Sequence, residues 1–185
     1  MPELGTYLLW LARASIARAL AQAEPAPPPL ATADAPLLAQ PAASFVTLNR
    51  AGVLRGCIGS LVAHRPLAED IASNAVAAAF RDPRFPPLRA DELADLHVEV
   101  SLLTPPEPFS VRDESEALQQ LRPDVDGVIF TAGQHRATFL PQVWTQLPDP
   151  AEFLAQLKRK AGLPGDYWGS DVKLARYTVK KWKEA

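Results

Sequence analysis

The order of strand-like segments is the feature that most constrains the fold of this 185-residue chain. Apolar and β-branched residues recur in paired segments that are separated by short, glycine-containing turns, which is typical of antiparallel hairpins. The two clearest pairs are 44–48 with 53–61 and 127–131 with 136–140. Helical patterns lie between the pairs, so the sequence predicts an α+β fold with an antiparallel or mixed sheet and flanking helices. There is no βαβ alternation and no glycine-rich dinucleotide loop.

The remaining elements follow from hydrophobic periodicity. Helices are predicted at 4–23, from Pro66 to just before Asp82, at 113–121 and after Asp149, and strands at 97–103 and 171–180. The proline-rich segment 25–41 is predicted to lie extended against the domain and to be non-helical, since proline and X-Pro disfavour helix. We expect a single domain over 1–185, with its core at 44–181.

The N-terminal segment has two interpretations, a secretory signal or an amphipathic helix. A signal needs positive charge before an uninterrupted apolar run, but here Glu3 comes first and Arg13 and Arg18 interrupt the run. The apolar residues fall instead on one helical stripe. No segment approaches the length of a membrane span. We therefore expect a helix, and a cytoplasmic protein that does not bind membranes.

Composition narrows the function classes. The net charge of −2 weighs against bulk nucleic-acid binding, which usually needs a basic surface. Two basic clusters, 158–160 and 180–183, are expected to be a helix end and a solvated chain end. The single cysteine excludes an intramolecular disulfide and a cysteine-rich zinc site, and it fits a reducing compartment.

The segment Leu54–Ser60, LRGCIGS, is the candidate functional strand. Side chains alternate along a strand, so Arg55 and Cys57 are predicted to project from one face. The other face takes Leu54, Gly56 and Ile58. An arginine on the same face would stabilise the thiolate of Cys57 and lower its pKa. The alternative is that Cys57 is a small buried residue and Arg55 a structurally paired charge.

The glycines of this strand need their own explanation. Gly56 and Gly59 weaken a strand, because glycine has no side chain to pack. Their presence indicates a bulge, or the close approach of another backbone or of a ligand.

Several blocks of the chain resemble the AMME-syndrome-candidate (AMMECR) domain family, whose prokaryotic members are protein A of the AmmeMemoRadiSam system. The blocks are LRGCIG at 54–59, FVTL at 45–48, NAVAAAFRDPRFPPL at 74–88, EVSLLTPPE at 99–107, ATFLPQVW at 137–144 and EFLAQLKRKAGLP at 152–164. They are long, they occur in the family's order, and they extend over nearly the whole chain after the first helix.

The resemblance implies a compact α+β fold with a larger and a smaller subdomain around a cleft lined by the signature residues. It also implies that the chain works with a radical S-adenosylmethionine (SAM) enzyme and a Memo-type protein. It implies no established reaction and no cofactor. From the strand alternation, the flanking glycines and the proline-stiffened loop, we assign ligand binding to Arg55, Gly56, Gly59 and Arg84, and acid or nucleophile roles to Cys57 and Glu99.

Glu99 lies on the predicted strand 97–103, where it shares a face with His97 and Ser101. If this strand is the neighbour of the signature strand, then Arg55, Cys57 and Glu99 converge and supply an anion-binding group, a nucleophile and an acid/base. The alternative is an ion pair between Arg55 and Glu99 on a solvated sheet face.

Arg84 lies in a loop stiffened by prolines. It either binds a carboxylate or phosphate, or pairs with Asp82 to hold the loop. Arg136 has the same two interpretations. The three histidines lie on separate elements without metal-binding spacing, so we predict no metal site.

Three functions are considered, of which the third is that the glycine-flanked strand of Cys57 is itself modified by the radical enzyme. The first two are weighed against each other. The chain is a binding or scaffold module that presents a ligand or peptide to its partners, or it is an enzyme that acts on a small or modified substrate through Cys57. The sequence contains no motif with the spacing of a catalytic dyad or triad, and this favours the binding module.

Overall fold

The structure is a computed structural model that describes residues 2–185. Its helices are α1 (Pro2–Ala19), α2 (Ala35–Ala39), α3 (Leu67–Phe80), α4 (Glu114–Gln120) and α5 (Pro150–Lys160), and two 3₁₀ helices occupy Ala90–Asp95 and Pro141–Thr145. Its strands are β1 (Ala43–Arg50), β2 (Val53–Gly59), β3 (Leu96–Leu103), β4 (Glu107–Phe109), β5 (Gly127–Ala132), β6 (His135–Phe139), β7 (Val172–Tyr177) and β8 (Val179–Lys183).

The strands form two four-stranded sheets, with the orders β2-β1-β3-β8 and β4-β7-β5-β6. The pairs β1–β2, β1–β3, β4–β7, β5–β6 and β5–β7 are antiparallel. The predicted α+β class is therefore confirmed. Both predicted hairpins are also confirmed. The first turn is shorter than the predicted four residues 49–52, because Asn49 and Arg50 belong to β1 and only Ala51 and Gly52, with φ values of 50° and 76°, form the turn.

The chain divides into two compact units, one comprising residues up to Leu103 with Lys180–Ala185, and the other Thr104–Val179. In the first unit, α1 and α3 cover one face of the first sheet. One apolar stripe of α3 is buried, and it packs with α1 and the inward residues of β1 and β3. This stripe is Leu67, Ile71, Ala75 and Ala78.

The second unit has its own core beneath α5. The rings of Trp144 and Phe153 stack with centroids 3.7 Å apart. Asp149 caps α5 by accepting a hydrogen bond from the N–H of Ala151 (3.2 Å). The buried Lys158 forms an ion pair with Glu114, so one member of the basic cluster at the helix end is structural.

Three of the predicted elements differ from the structure. Helix α1 ends at Ala19, where Ala21 takes a positive φ of 53° and no glycine marks the stop. The segment 25–41 contains the short helix α2, because Pro36 lies in its first turn, where no N–H is needed. The single strand expected at 171–180 is two strands, β7 and β8, which belong to different sheets.

No helix within residues 2–185 combines the length and the apolar character that crossing a membrane requires.

Candidate functional site

The signature strand β2 lies at the edge of the first sheet and contains a β-bulge. Cys57 lies opposite Thr47 and Gly56 opposite Leu48, but Leu54 lies opposite Asn49, so Arg55 has no partner in β1. The extra residue shifts the alternation, and Leu54 and Cys57 fall on one face. The predicted assignment of Leu54 to the face opposite Cys57 is therefore wrong.

Arg55 is committed to a carboxylate rather than to the thiol. Its Nε and Nη2 each donate to Glu92 at 3.0 Å, and its Nη1 donates to the carbonyl of Pro86 at 3.0 Å. The side chains of Arg55 and Glu92 are only 12% and 10% exposed. Arg55 is thus a structurally paired charge, which is one of the two interpretations that the sequence allowed. Its partner is Glu92 and not Glu99.

Glu92 was not identified from the sequence. Its carboxylate also accepts hydrogen bonds from the N–H of Arg89 (2.9 Å) and from Arg50 (3.2 Å). The pKa of Glu92 is lowered to about 2, and the largest cause is its hydrogen bonds from Arg55. No local sequence signal marks this residue, because the contact depends on how the 3₁₀ helix Ala90–Asp95 packs beside β2.

The two glycines of the signature are explained by packing. A Cβ on Gly56 would lie 2.1 Å from the carbonyl oxygen of Ala78 in α3, and a Cβ on Gly59 would lie 2.2 Å from the ring of Phe45. The predicted close approach of another backbone is therefore confirmed at Gly56. Gly59 accommodates an aromatic ring instead.

Cys57 is half-buried, and its peptide is held from the loop that follows α3. Its N–H donates to Asp82 (2.9 Å), and its carbonyl oxygen lies 3.5 Å from Nη2 of Arg84. Its Sγ lies 3.3 Å from the hydroxyl of Thr47. These backbone groups point away from β1, so Asp82 and Arg84 satisfy the open edge of the sheet.

Asp82 and Arg84 form the pair that holds this loop. Nε and Nη2 of Arg84 donate to Asp82 at 3.0 and 2.7 Å, and the N–H of Arg84 donates at 3.1 Å. The hydrogen bonds from Arg84 are the main cause that lowers the pKa of Asp82. The same pair raises the pKa of Arg84. The structural interpretation of Arg84, in which it pairs with Asp82 to hold the loop, therefore accounts for Nε and Nη2 of its guanidinium.

Glu99 lies on the same sheet face as Cys57 but does not contact it. Thr47 is opposite Cys57 on one side and opposite Glu99 on the other, because β1 lies between β2 and β3. Two strand spacings separate them by about 10 Å. The expected convergence required β2 and β3 to be neighbours and is wrong. Glu99 forms an ion pair with Lys181 (3.5 Å) instead.

A buried polar cluster at the ends of β1 and β2 was missed. Asp70 in α3 accepts hydrogen bonds from the N–H and hydroxyl of Ser44, from Ser60, from Arg65 and from Asn74. The sequence carries a signal for it, because Asp70 and Asn74 occur at helix spacing beside the buried apolar stripe.

The other singled-out residues are peripheral. His97 and Arg136 are exposed, and the ring of His135 lies 2.9 Å from the carbonyl of Ala161. Throughout the part of the chain that the structure describes, no three His, Cys, Asp or Glu side chains are grouped so as to hold a metal ion.

Comparison with known proteins gives a consistent result. The model of the AMMECR1 family matches residues 9–182. A protein of Thermococcus gammatolerans is 41% identical over 189 residues, which cover 98% of this chain and 91% of that protein. Protein PH0010 of Pyrococcus horikoshii is 39% identical and is covered to 90%. The crystal structure of protein PH0010 of Pyrococcus horikoshii has a TM-score of 0.77 at 38% identity, with 98% of this chain and 92% of that chain covered.

Proposed function

The chain belongs to the AMMECR1 family, and from that premise we propose that it is a cytoplasmic ligand- or partner-binding module that works with a radical SAM enzyme and a Memo-type protein. The support for these two partners is the resemblance of the signature blocks to protein A of the AmmeMemoRadiSam system.

The observation that carries the proposal is the use of the signature side chains. The guanidinium of Arg55 is hydrogen-bonded to Glu92 and to the carbonyl of Pro86, and Gly56 allows the backbone of α3 to pack closely against β2. Within residues 2–185, the polar partner of the Cys57 thiol is the hydroxyl of Thr47, and no carboxylate or imidazole hydrogen-bonds to it. A nucleophilic thiol is commonly activated by a base within hydrogen-bonding reach, at about 3 Å. The arrangement therefore favours binding over catalysis.

The proposed binding surface is the row formed by Cys57, Thr47 and Glu99 across three strands of the first sheet. The opposite face of this sheet packs on α1 and α3, which makes the row rigid. Polar side chains placed on rigid elements lose little conformational entropy when they bind, so such a row is suited to recognition.

A matched pair of charge reversals tests the proposal. The purified chain is titrated calorimetrically with the radical SAM enzyme and with the Memo-type protein encoded in the same genome. We expect a complex with at least one of them, weakened at least tenfold by Glu99→Lys and unchanged by Glu107→Lys, whose side chain is exposed outside the row. Absence of both complexes, or equal effects of the two variants, would contradict the proposal.

The second candidate is an enzyme with Cys57 as its nucleophile. The observation that favours it is the position of Arg84, whose Nη2 lies 3.5 Å from the carbonyl oxygen of Cys57, because a nearby positive charge stabilises a thiolate. Cys57→Ser separates the two functions. A binding module keeps its partner affinity in this variant, whereas an enzyme that needs the thiol loses turnover of the assembled system while the complex still forms.

A further inference from the structure

We propose that Arg84 forms an anion site beside Cys57, which receives a carboxylate or phosphate group of the module's ligand. This inference deepens the proposed function and rests on it, since it names the chemical class of ligand for the surface that contains Cys57. The donors, their fixed orientation and the contrast with Arg55 each support it.

The guanidinium of Arg84 has donors left over after its internal contacts. Nε and Nη2 face Asp82, and Nη2 also lies 3.5 Å from the carbonyl oxygen of Cys57. In the described chain, residues 2–185, Nη1 has no hydrogen-bond partner, and the side chain is 54% exposed. Two N–H donors are therefore directed at solvent next to the Cys57 peptide.

Asp82 fixes the direction of those donors. Its side chain is 2% exposed and accepts from Cys57 and from three nitrogens of Arg84. Pro83 and Pro86 stiffen the same loop. A guanidinium anchored on one edge presents its other edge without a further loss of rotamer entropy, which favours anion recognition.

The neighbouring arginines show why the site is at Arg84. All three guanidinium nitrogens of Arg55 are used internally, so Arg55 has no comparable free edge. Arg81, three residues before Arg84, is exposed and adds a positive charge to the same stretch of chain. Nη2 of Arg84 lies 3.5 Å from the carbonyl oxygen of Cys57, which puts the guanidinium within electrostatic range of the thiol of that residue.

Two thiol reagents that differ in charge test the proposal. Iodoacetate is an anion and iodoacetamide is neutral, and with both the sulfur attacks the CH₂ carbon. A C–S bond forms, the C–I bond breaks, iodide leaves with the bonding electrons, and the thiol proton passes to the buffer. Because Cys57 is the single cysteine, its alkylation is followed directly by mass.

The expected result is an iodoacetate-to-iodoacetamide rate ratio that exceeds that of N-acetylcysteine by about two- to fivefold, the effect of a half-exposed ion pair. Inorganic phosphate should remove the excess by competition. Arg84→Lys retains a positive charge for Asp82 but loses the free edge, so its ratio should return towards that of the free thiol. The matched control is Arg122→Lys, because Arg122 is 53% exposed and also pairs with a buried carboxylate, Asp126.

Three outcomes overturn the proposal. The first is an iodoacetate-to-iodoacetamide rate ratio equal to that of N-acetylcysteine. The second is a raised rate ratio that neither Arg84→Lys nor phosphate changes. The third is a thiol that reacts with neither reagent until the protein is unfolded. The last outcome counts because the site requires the thiol and Nη1 to face the same open space. A failure here leaves the calorimetric titration with the partner proteins unaffected, so it is distinct from a failure of the proposed function.

Discussion

The carboxylate of Asp82 accepts a hydrogen bond from the backbone N–H of Cys57 at 2.9 Å, and this bond joins the loop after α3 to the edge of the first sheet. Edge strands expose unpaired backbone groups that are open to further strand pairing. Here the same carboxylate also orients Arg84 over the carbonyl of Cys57. The most distinctive strand of the chain is thus held in place by a residue 25 positions away.

Asp82→Asn should destabilise the protein. The substitution removes the negative charge that Arg84 pairs with and exchanges an acceptor oxygen for an N–H donor beside the N–H of Cys57. Loss of a buried, hydrogen-bonded carboxylate typically costs about 1–3 kcal/mol. Urea unfolding measures the change. Asp91→Asn is the control, since Asp91 pairs with Arg89 on the surface and should change the free energy of unfolding by less than about 0.5 kcal/mol.

Gly56→Ala should be more damaging than Gly52→Ala. A methyl group on Gly56 meets the carbonyl oxygen of Ala78 at 2.1 Å, so β2 and α3 must separate at a cost of about 1–3 kcal/mol or more. Gly52 has open space around it but a φ of +76°, which costs about 1 kcal/mol. Thermal unfolding of the two variants should give the larger loss in Tm for Gly56→Ala. Equal losses in Tm for the two variants would show that α3 can shift away from β2 at little cost in stability.

Local elements were predictable from the sequence because their signals are local. The first hairpin, helix α3 and the start of helix α5 after Asp149 each depend on residues within one or two turns of chain. The break of 171–180 into two strands was not predictable, since alternation of apolar and polar residues continues through Thr178. Alternation reports a strand without reporting the sheet to which it belongs.

The candidate site was predicted in part for the same reason. Arg84 with Asp82 was found because both lie in one short loop, whereas the pairing of Arg55 with Glu92 joins residues 37 positions apart. The bulge at Arg55 depends on the register against β1, and the separation of Cys57 from Glu99 depends on strand order. A single sequence carries neither quantity explicitly.

Asp70→Asn should destabilise the first unit strongly. Asp70 is fully buried and accepts hydrogen bonds from Ser44, Ser60 and Arg65. The asparagine leaves the buried side of Arg65 without its counter-charge, and breaking such a pair costs about 3–5 kcal/mol. Urea unfolding of the variant is compared with that of Glu69→Gln, an exposed neighbour on the same helix. A difference of less than 1 kcal/mol between the two variants would mean that Asp70 is dispensable.

The ion pair of Arg55 with Glu92 should make stability depend on pH in the acid range. The pKa of Glu92 falls from 4.5 to about 2 in the folded protein, chiefly through its hydrogen bonds with Arg55. The unfolded chain therefore binds the proton first, and the stabilisation is present above pH 4.5 and is lost as the pH falls through about 2. A shift of this size corresponds to about 3 kcal/mol.

Free energies of unfolding are measured by urea titration at several pH values. As the pH falls, the wild-type protein should lose its greater stability relative to Glu92→Gln, while Glu107→Gln follows the wild-type curve. Parallel curves for the wild-type protein and Glu92→Gln would place the acid sensitivity elsewhere.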